Sequence, residues 1–287
     1  MARTRYAPDR GLTARMGLTM FLLGIVFVAF VAAIIGISAA FHASDGAIIF
    51  FAVVLGGGLA IGSLFYSDKI ALSSAQAQLV TPQQAPELHG IVDRVCALAD
   101  MPKPRIAISP TQLPNAFATG RNSEHAVLCV TEGLMRRLTP EELEGVIAHE
   151  LSHVAHKDVM VMTVASFLGV IAGLLIIMVV SIVVYAISFL LIRLLSRYRE
   201  LAADRSGALL TGQPSALASA LVKVSDNIAR IPTKDLREAA PLSAFYFAPA
   251  LSREQLQSKF ATLFSTHPSL DKRIEQLNKI SAQLGQH

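Results

Sequence analysis

A chain of 287 residues with 53% apolar and only 16% charged side chains departs from the roughly 45–50% and about 25% usual in soluble globular domains, which points to a membrane protein. Much of the net charge of +4 sits at the N-terminus, and no dense basic patch of the kind nucleic acid requires stands out, so no nucleic-acid partner is expected. The two cysteines, Cys96 and Cys129, are far apart and in no C-x-x-C pattern, so a disulfide framework is not expected and two reduced, partly buried thiols are.

Met16 to Phe41 carries no charge over a length ample for a bilayer crossing, and Gly46 to Tyr66 is a second candidate, joined to the first by "HASD". Arg3, Arg5, Arg10 and Arg15 precede the first span, while the link has no Lys or Arg. The positive-inside rule then predicts a cytoplasmic N-terminus, an outside link and a return to the cytoplasm after Tyr66. Residues 1–66 are thus read as an N-terminal transmembrane hairpin. Gly58 and Gly62 form a G-x-x-x-G to which no function is assigned.

From Ser67 to about Ala148 the chain reads as water-soluble. "PELHGIVDRVCALADM" places Leu88, Ile91, Val92, Val95 and Leu98 at helical spacing. Two apolar runs, "RIAIS" and "HAVLCV", are bounded by turn formers and predict strands on either side of "PTQLPNAFATGRNSE". A helix is announced at "LTPEELEGVIAHELSHVAHKD". Thr139 suits the N-cap, Pro140 the first helical position, Glu142 completes a capping box, and Leu138 with Leu143 can close a hydrophobic staple.

Inside this helix lies His149-Glu150-Leu151-Ser152-His153. Positions i and i+4 project from one face, so both imidazoles can reach one metal ion, and Glu150 falls beside them as a general base. The bland alternative is a polar face with two ordinary histidines. His156, three residues beyond His153, would need a different geometry and reads as a solvent or interface residue. A catalytic zinc usually takes three protein ligands and leaves one position for water. The extended pattern H-E-x-x-H-x-x-G-x-x-H fails, because Val159 stands where its last His would be. A Glu from a separate helix is the other source. "SRYRELAADRSGALL" puts Glu200 and Asp204 four apart on one face, with Asp204 able to hold the free ring nitrogen of a liganding histidine. Taken alone, the same two acids read as a surface face paired with Arg197, Arg199 or Arg205.

The run H-E-L-S-H-x-x-x-x-D, "SRYRELAAD", "PNAFATG" at 114–120 and "THPSLDKRI" at 266–274 together resemble the HtpX membrane metalloproteases, bacterial relatives of the CAAX prenyl endopeptidases. The resemblance spans nearly the whole chain. It implies a mainly α membrane protein with a zincin-like, Glu-liganded α+β catalytic domain carrying a small sheet. It implies one Zn2+ per chain held by His149, His153 and Glu200, with Glu150 as general base. It also puts Asn115 and the backbone at Ala116 beside the cleft as substrate contacts, and offers His267 as an aid to the oxyanion. The expected protein is a multi-pass protein of the bacterial inner membrane with its peptidase in the cytosol. Its expected partners are the lipid bilayer and the membrane or misfolded proteins it cleaves in quality control and stress response.

Val159 to Leu195 has Arg193 as its only charge. If His149 and Glu200 bind one zinc, this run must return to the face it left, because one crossing would separate them by about 30 Å of hydrocarbon. A two-span hairpin leaves about 17 residues per arm, with Gly169, Gly173 or Ser181 as turn candidates. Family members carry a polar link in the corresponding region and this chain lacks one, so spanning, dipping and packing against the N-terminal pair all stay open. The domain reading is therefore 1–66 hairpin, 67–158 first part of the catalytic domain, 159–195 apolar excursion and 196–287 second part with the third ligand. Two other readings stand beside it: an intramembrane metalloprotease, and a non-catalytic membrane scaffold with a structural zinc closed by His156 or His267. Against the first, Glu141, Glu142, Glu144, Lys157 and Asp158 flank the motif, and each charge costs roughly 2.5–3.5 kcal/mol at a bilayer centre. Substrate identity, cleavage preference and oligomeric state are not legible.

Overall fold

The fold is described from a computed structural model. It describes residues 10–41, 62, 65, 66, 68–120, 122–158, 161, 162, 165, 179–229 and 265–285. In chain order these give α1 (Arg10–Phe41), β1 (Gln78–Leu79), α2 (Pro86–Ala99), β2 (Arg105–Ser109), β3 (Ala116–Thr119), a 3-10 turn at Ser123–His125, β4 (Val127–Thr131) and the single turn α3 (Glu132–Met135). There follow α4 (Pro140–Ala155), α5 (Val179–Thr211), α6 (Pro214–Ala229) and α7 (Leu270–Gln283).

The four strands form one sheet in the order β1-β2-β4-β3. The central pair, β2 and β4, is parallel, with Arg105 opposite Val127 and Ser109 opposite Thr131. Both outer strands run antiparallel to their neighbours. Side chains alternate across the pleat. Ile106, Leu128 and Val130 join the main core with α2, α4, α5, α6 and α7, while Ala107, Val127 and Cys129 face Ala71 and Phe117 on the other side. Burial on both faces is why "HAVLCV" reads as a continuous apolar run instead of an alternating one. Its first residue, His125, ends the 3-10 turn, so the strand starts two residues later than predicted.

Three further expectations are corrected. The segment "PTQLPNAFATGRNSE" was predicted as a connection, yet Ala116–Thr119 pairs with β4 as an edge strand. Four residues between proline and glycine carry too little period to announce a strand. In α2, Leu88, Ile91, Val92 and Val95 are buried as predicted, but Leu98 is exposed and Cys96 and Ala99 take the core positions. With 3.6 residues per turn the buried stripe passes through 88, 92, 95 and 99 and leaves position 98 off its edge. Ser181 lies inside α5 and is not a turn; Gly169 and Gly173 fall outside the described residues.

The apolar return arm and the helix bearing Glu200 are one element, α5. At 1.5 Å per residue it is about 50 Å long. Near its middle it packs on α1, where Leu195 and Leu23 share a buried cluster with Ala165 of the intervening segment, and its second half packs on α4 in the main core. α1 contains the uncharged run from Met16 to Phe41. Among the described residues no helix is long and apolar enough to cross a membrane. The expected second span lies almost wholly outside the described residues, as does the middle of the 159–195 excursion.

Candidate active site

α4 begins as its sequence announces. Thr139 Oγ1 accepts from the Glu142 N–H (3.3 Å), and Glu142 Oε2 accepts from the Thr139 N–H (2.9 Å), closing the capping box. Leu138 and Leu143 are both buried in the core at this end. The Glu142 carboxylate also accepts from Ser219 Oγ (2.6 Å) and pairs with Lys223 Nζ (2.7 Å), which ties α4 to α6. Helix α5 crosses closely beside the metal-ligand candidates because position 207 is glycine. A Cβ there would stand 2.9 Å from the His149 nitrogen and 3.1 Å from its Cα, inside normal contact.

The crossing brings His149, His153 and Glu200 together, with one possible ligand atom from each lying within 4.8 Å of the others. His149 Nε2 and His153 Nε2 are 3.2 Å apart. Glu200 Oε2 is 3.8 Å from His149 Nε2, and Oε1 is 3.5 Å from His153 Nε2. Tetrahedral ligands at usual zinc bond lengths of about 2.0–2.1 Å stand about 3.3–3.4 Å from one another, so this spacing fits a single ion. The proton pattern fits as well. His149 Nδ1 faces Asp204 Oδ1 at 2.9 Å, and His153 Nδ1 faces Asp158 Oδ2 at 2.6 Å. With each Nδ1 turned to a carboxylate, as a hydrogen bond at His153 and as an ion-pair contact at His149, both Nε2 atoms point at the same space as the Glu200 oxygens. That converging set of acceptors calls for a cation. His156, the C-cap of α4, is not in the group, and neither is His267.

The surrounding charges are buried and paired. Arg273 Nε and Nη2 donate to Asp204 Oδ2 (2.7 Å) and Oδ1 (2.6 Å). Arg199 Nη2 pairs with Asp158 Oδ2 at 2.7 Å. His267 Nδ1 lies 3.0 Å from Glu200 Oε2, and its Nε2 has no hydrogen-bond partner among the described residues. Burial opposes ionisation of Glu200, yet His267, His153 and Arg273 hold its carboxyl well below the usual range. Burial likewise opposes charge on Asp204, and Arg273 and His149 overcome it. Burial works against the charged form of His153, but Asp158 and then Glu200 and Glu150 outweigh it and raise the metal-free ring to about 9; a cation on Nε2 would displace that proton.

Glu150 is buried beside the three, and its Oε2 accepts from the Ala118 N–H at 3.2 Å. Burial pushes its carboxyl up to about 8, with Glu200 adding to the effect and His153 opposing it; a dication on the neighbouring ligands would pull it down again. Both main-chain groups of Asn115 turn inward. Its N–H donates to Thr131 Oγ1 at 2.9 Å and its carbonyl accepts from the Thr131 N–H at 3.0 Å. Antiparallel alternation then turns the main-chain N–H and C=O of Ala116 and Ala118 away from β4, while the Ala116 side chain stays buried in the core.

Four residues of the site were given no part in it by the sequence: Asp158, Arg199, Arg273 and Ala118. Asp158 and Arg273 stand within quoted motifs, which was the available signal. Arg199 was read as a surface partner of the acids on its own helix; it is buried and reaches Asp158, beyond the end of α4, instead.

The chain is similar to proteins already known. The sequence pattern of peptidase family M48 matches residues 82–281. Protease HtpX homolog 1 of Streptomyces coelicolor is 53% identical, over 99% of this chain and 97% of that protein. The protease HtpX homolog of Moorella thermoacetica is 45% identical over 98% of each. The crystal structure of S. mikatae Ste24p superposes with a TM-score of 0.53 at 14% identity, covering 91% of this chain and 62% of that one, which shows a shared fold. The chain belongs to peptidase family M48, among the HtpX-type proteases, and is a metalloprotease that hydrolyses peptide bonds.

Proposed function

We propose that this chain is a membrane-anchored zinc endopeptidase with a zincin-like centre, cleaving membrane or misfolded proteins at the cytosolic face. The observation that carries the reading is the meeting of His149, His153 and Glu200 next to Glu150, itself hydrogen-bonded to the edge strand β3. A zinc ion so held supplies a Lewis acid and lowers the pKa of water. His149, His153 and Glu200 hold it, and Asp204 and Asp158 keep the two rings in the tautomer that presents Nε2. With Oε2 engaged by Ala118, Glu150 takes the proton of the attacking water on Oε1 and returns it to the leaving amine. Substrate lies extended against β3, reaching the outward main chain of Ala116 and the Ala118 carbonyl, with the Asn115 side chain nearby. His267 orients Glu200; because its Nδ1 donates there, Nε2 can aid the oxyanion only from the doubly protonated ring.

Membrane anchoring is supported by the large apolar side chains exposed along α1 (Leu18, Phe21, Leu22, Ile25 and Val28) and by Ile187 and Leu190 on α5. A contiguous exposed face of this kind marks a contact with lipid or protein. α4 packs in the water-soluble core with its charged cap, which favours a site at the membrane surface over one within the bilayer.

The test pairs two variants in the full chain. Glu150→Gln should retain one zinc per chain and lose proteolysis, while Glu200→Ala should lose zinc. Full activity in either variant, or a Glu150→Gln protein that still cleaves in a chelator-sensitive way, would sink the scheme. Release of the protein from membranes by an alkaline wash would remove the anchoring.

A further inference from the structure

His149 and His153 are backed by the same arrangement, a carboxylate on Nδ1 and a guanidinium on the carboxylate, yet the two are fixed differently. Behind His149, Asp204 sits inside α5, about two turns from its end, and gives both oxygens to Arg273, and the side chains of all three residues are at most 1% exposed. Behind His153, a single oxygen of Asp158 carries both contacts, to His153 at 2.6 Å and to Arg199 at 2.7 Å. The other oxygen, Oδ1, has no hydrogen-bond partner among the described residues.

Asp158 opens the helical turn that follows α4, where the Val161 N–H donates to the Lys157 carbonyl at 3.1 Å. It follows a reversal at Lys157, whose φ of 57° is left-handed and unfavourable for a side chain of this kind. The helix that ends at Ala155 therefore does not hold Asp158 in place; the chain curls back so that the carboxylate meets His153 from outside the helix. What reaches it from α5, the helix of Glu200, is the buried Arg199.

We infer that Arg199 is a positioning residue for the metal centre, pinning Asp158 across the α4–α5 gap and through it fixing the ring of His153. The inference rests on reading His149, His153 and Glu200 as the metal ligands. Arg199 is the residue immediately before Glu200. One turn of α5 therefore carries one ligand and the anchor of another, so a displacement of that turn moves two of the three ligands together. Carboxylates that orient a liganding histidine commonly govern metal affinity, and Arg199 extends that control one residue further out.

The test uses the full-length protein in detergent, reading zinc affinity by competition with a chromophoric chelator and ligand geometry by the visible spectrum of the cobalt-substituted protein. Arg199→Ala should weaken zinc binding by roughly 10- to 100-fold and shift the cobalt bands, and Arg199→Lys should recover part of both. Asp158→Asn should also weaken binding, and the two losses should fail to add in the double variant, because Arg199 acts through Asp158. A folded Arg199→Ala protein with parental affinity and spectrum overturns the inference, as do additive losses. If Arg199→Ala does not fold, Arg199→Gln, which keeps a donor, is read the same way. A parent that binds no zinc overturns the metal reading itself; a parent that binds zinc beside an unaffected variant overturns only the role of Arg199.

Discussion

Arg273 holds Asp204 with two hydrogen bonds of 2.7 and 2.6 Å, and neither side chain is more than 1% exposed. The pair joins α7, near the C-terminus, to the helix that carries Glu200. Removing one partner of a buried ion pair strands the other charge, at a cost of about 3–5 kcal/mol. Arg273→Ala should therefore lower stability by about that amount, visible as a lower thermal midpoint. Adding Asp204→Asn to it should return part of the loss, because the stranded charge is gone. A single variant as stable as the parent would show that the pair contributes nothing.

The Ala118 N–H donates to Glu150 and not to β4. Proline at an outward-facing edge position leaves the ladder intact and deletes only that donor. Ala118→Pro should thus keep the parental zinc content while peptide hydrolysis falls by roughly tenfold or more, the loss expected of a displaced general base. Unchanged kcat/KM would mean that the strand does not position Glu150.

Glu142 reports on the start of α4. Burial acts to raise its pKa, but Lys223, Ser219 and Thr139 together hold it below the usual carboxylate range. A group whose folded pKa is depressed contributes stability that is present above the unfolded value, about 4.3, and is lost as pH falls through the folded value. The thermal midpoint of Glu142→Gln should lie below that of the parent near neutral pH, with the gap narrowing as the pH drops through and below about 4. A gap that is constant with pH would rule out the carboxylate charge as its source.

Cys96 and Cys129 are free and buried. Burial pushes their thiols up to about 11 and about 12, and the thiolate is the reactive form. Neither should react with an aromatic disulfide reagent at pH 8 in the native protein, and both should react on unfolding. Labelling of the native protein at the rate of a free thiol would contradict their burial.

Much of the candidate metal site was legible in the sequence because its parts are local. A helix repeats every 3.6 residues, so His149 and His153, or Glu200 and Asp204, declare a shared face without knowledge of the fold, and the Thr139–Glu142 cap declares where the helix begins. The burial of Leu88, Ile91, Val92 and Val95 follows from the same period. Contacts between elements have no such period. That Asp158 and not a surface acid engages Arg199, that Arg273 closes on Asp204, that Gly207 lets α5 approach His149, and that Ala116–Thr119 is an edge strand facing Glu150 were decided by how α4, α5, α7 and the sheet pack. Charged residues within a motif look alike in sequence whether they meet water or each other. Only burial, which makes an unpaired charge too costly to keep, selects the partners seen here.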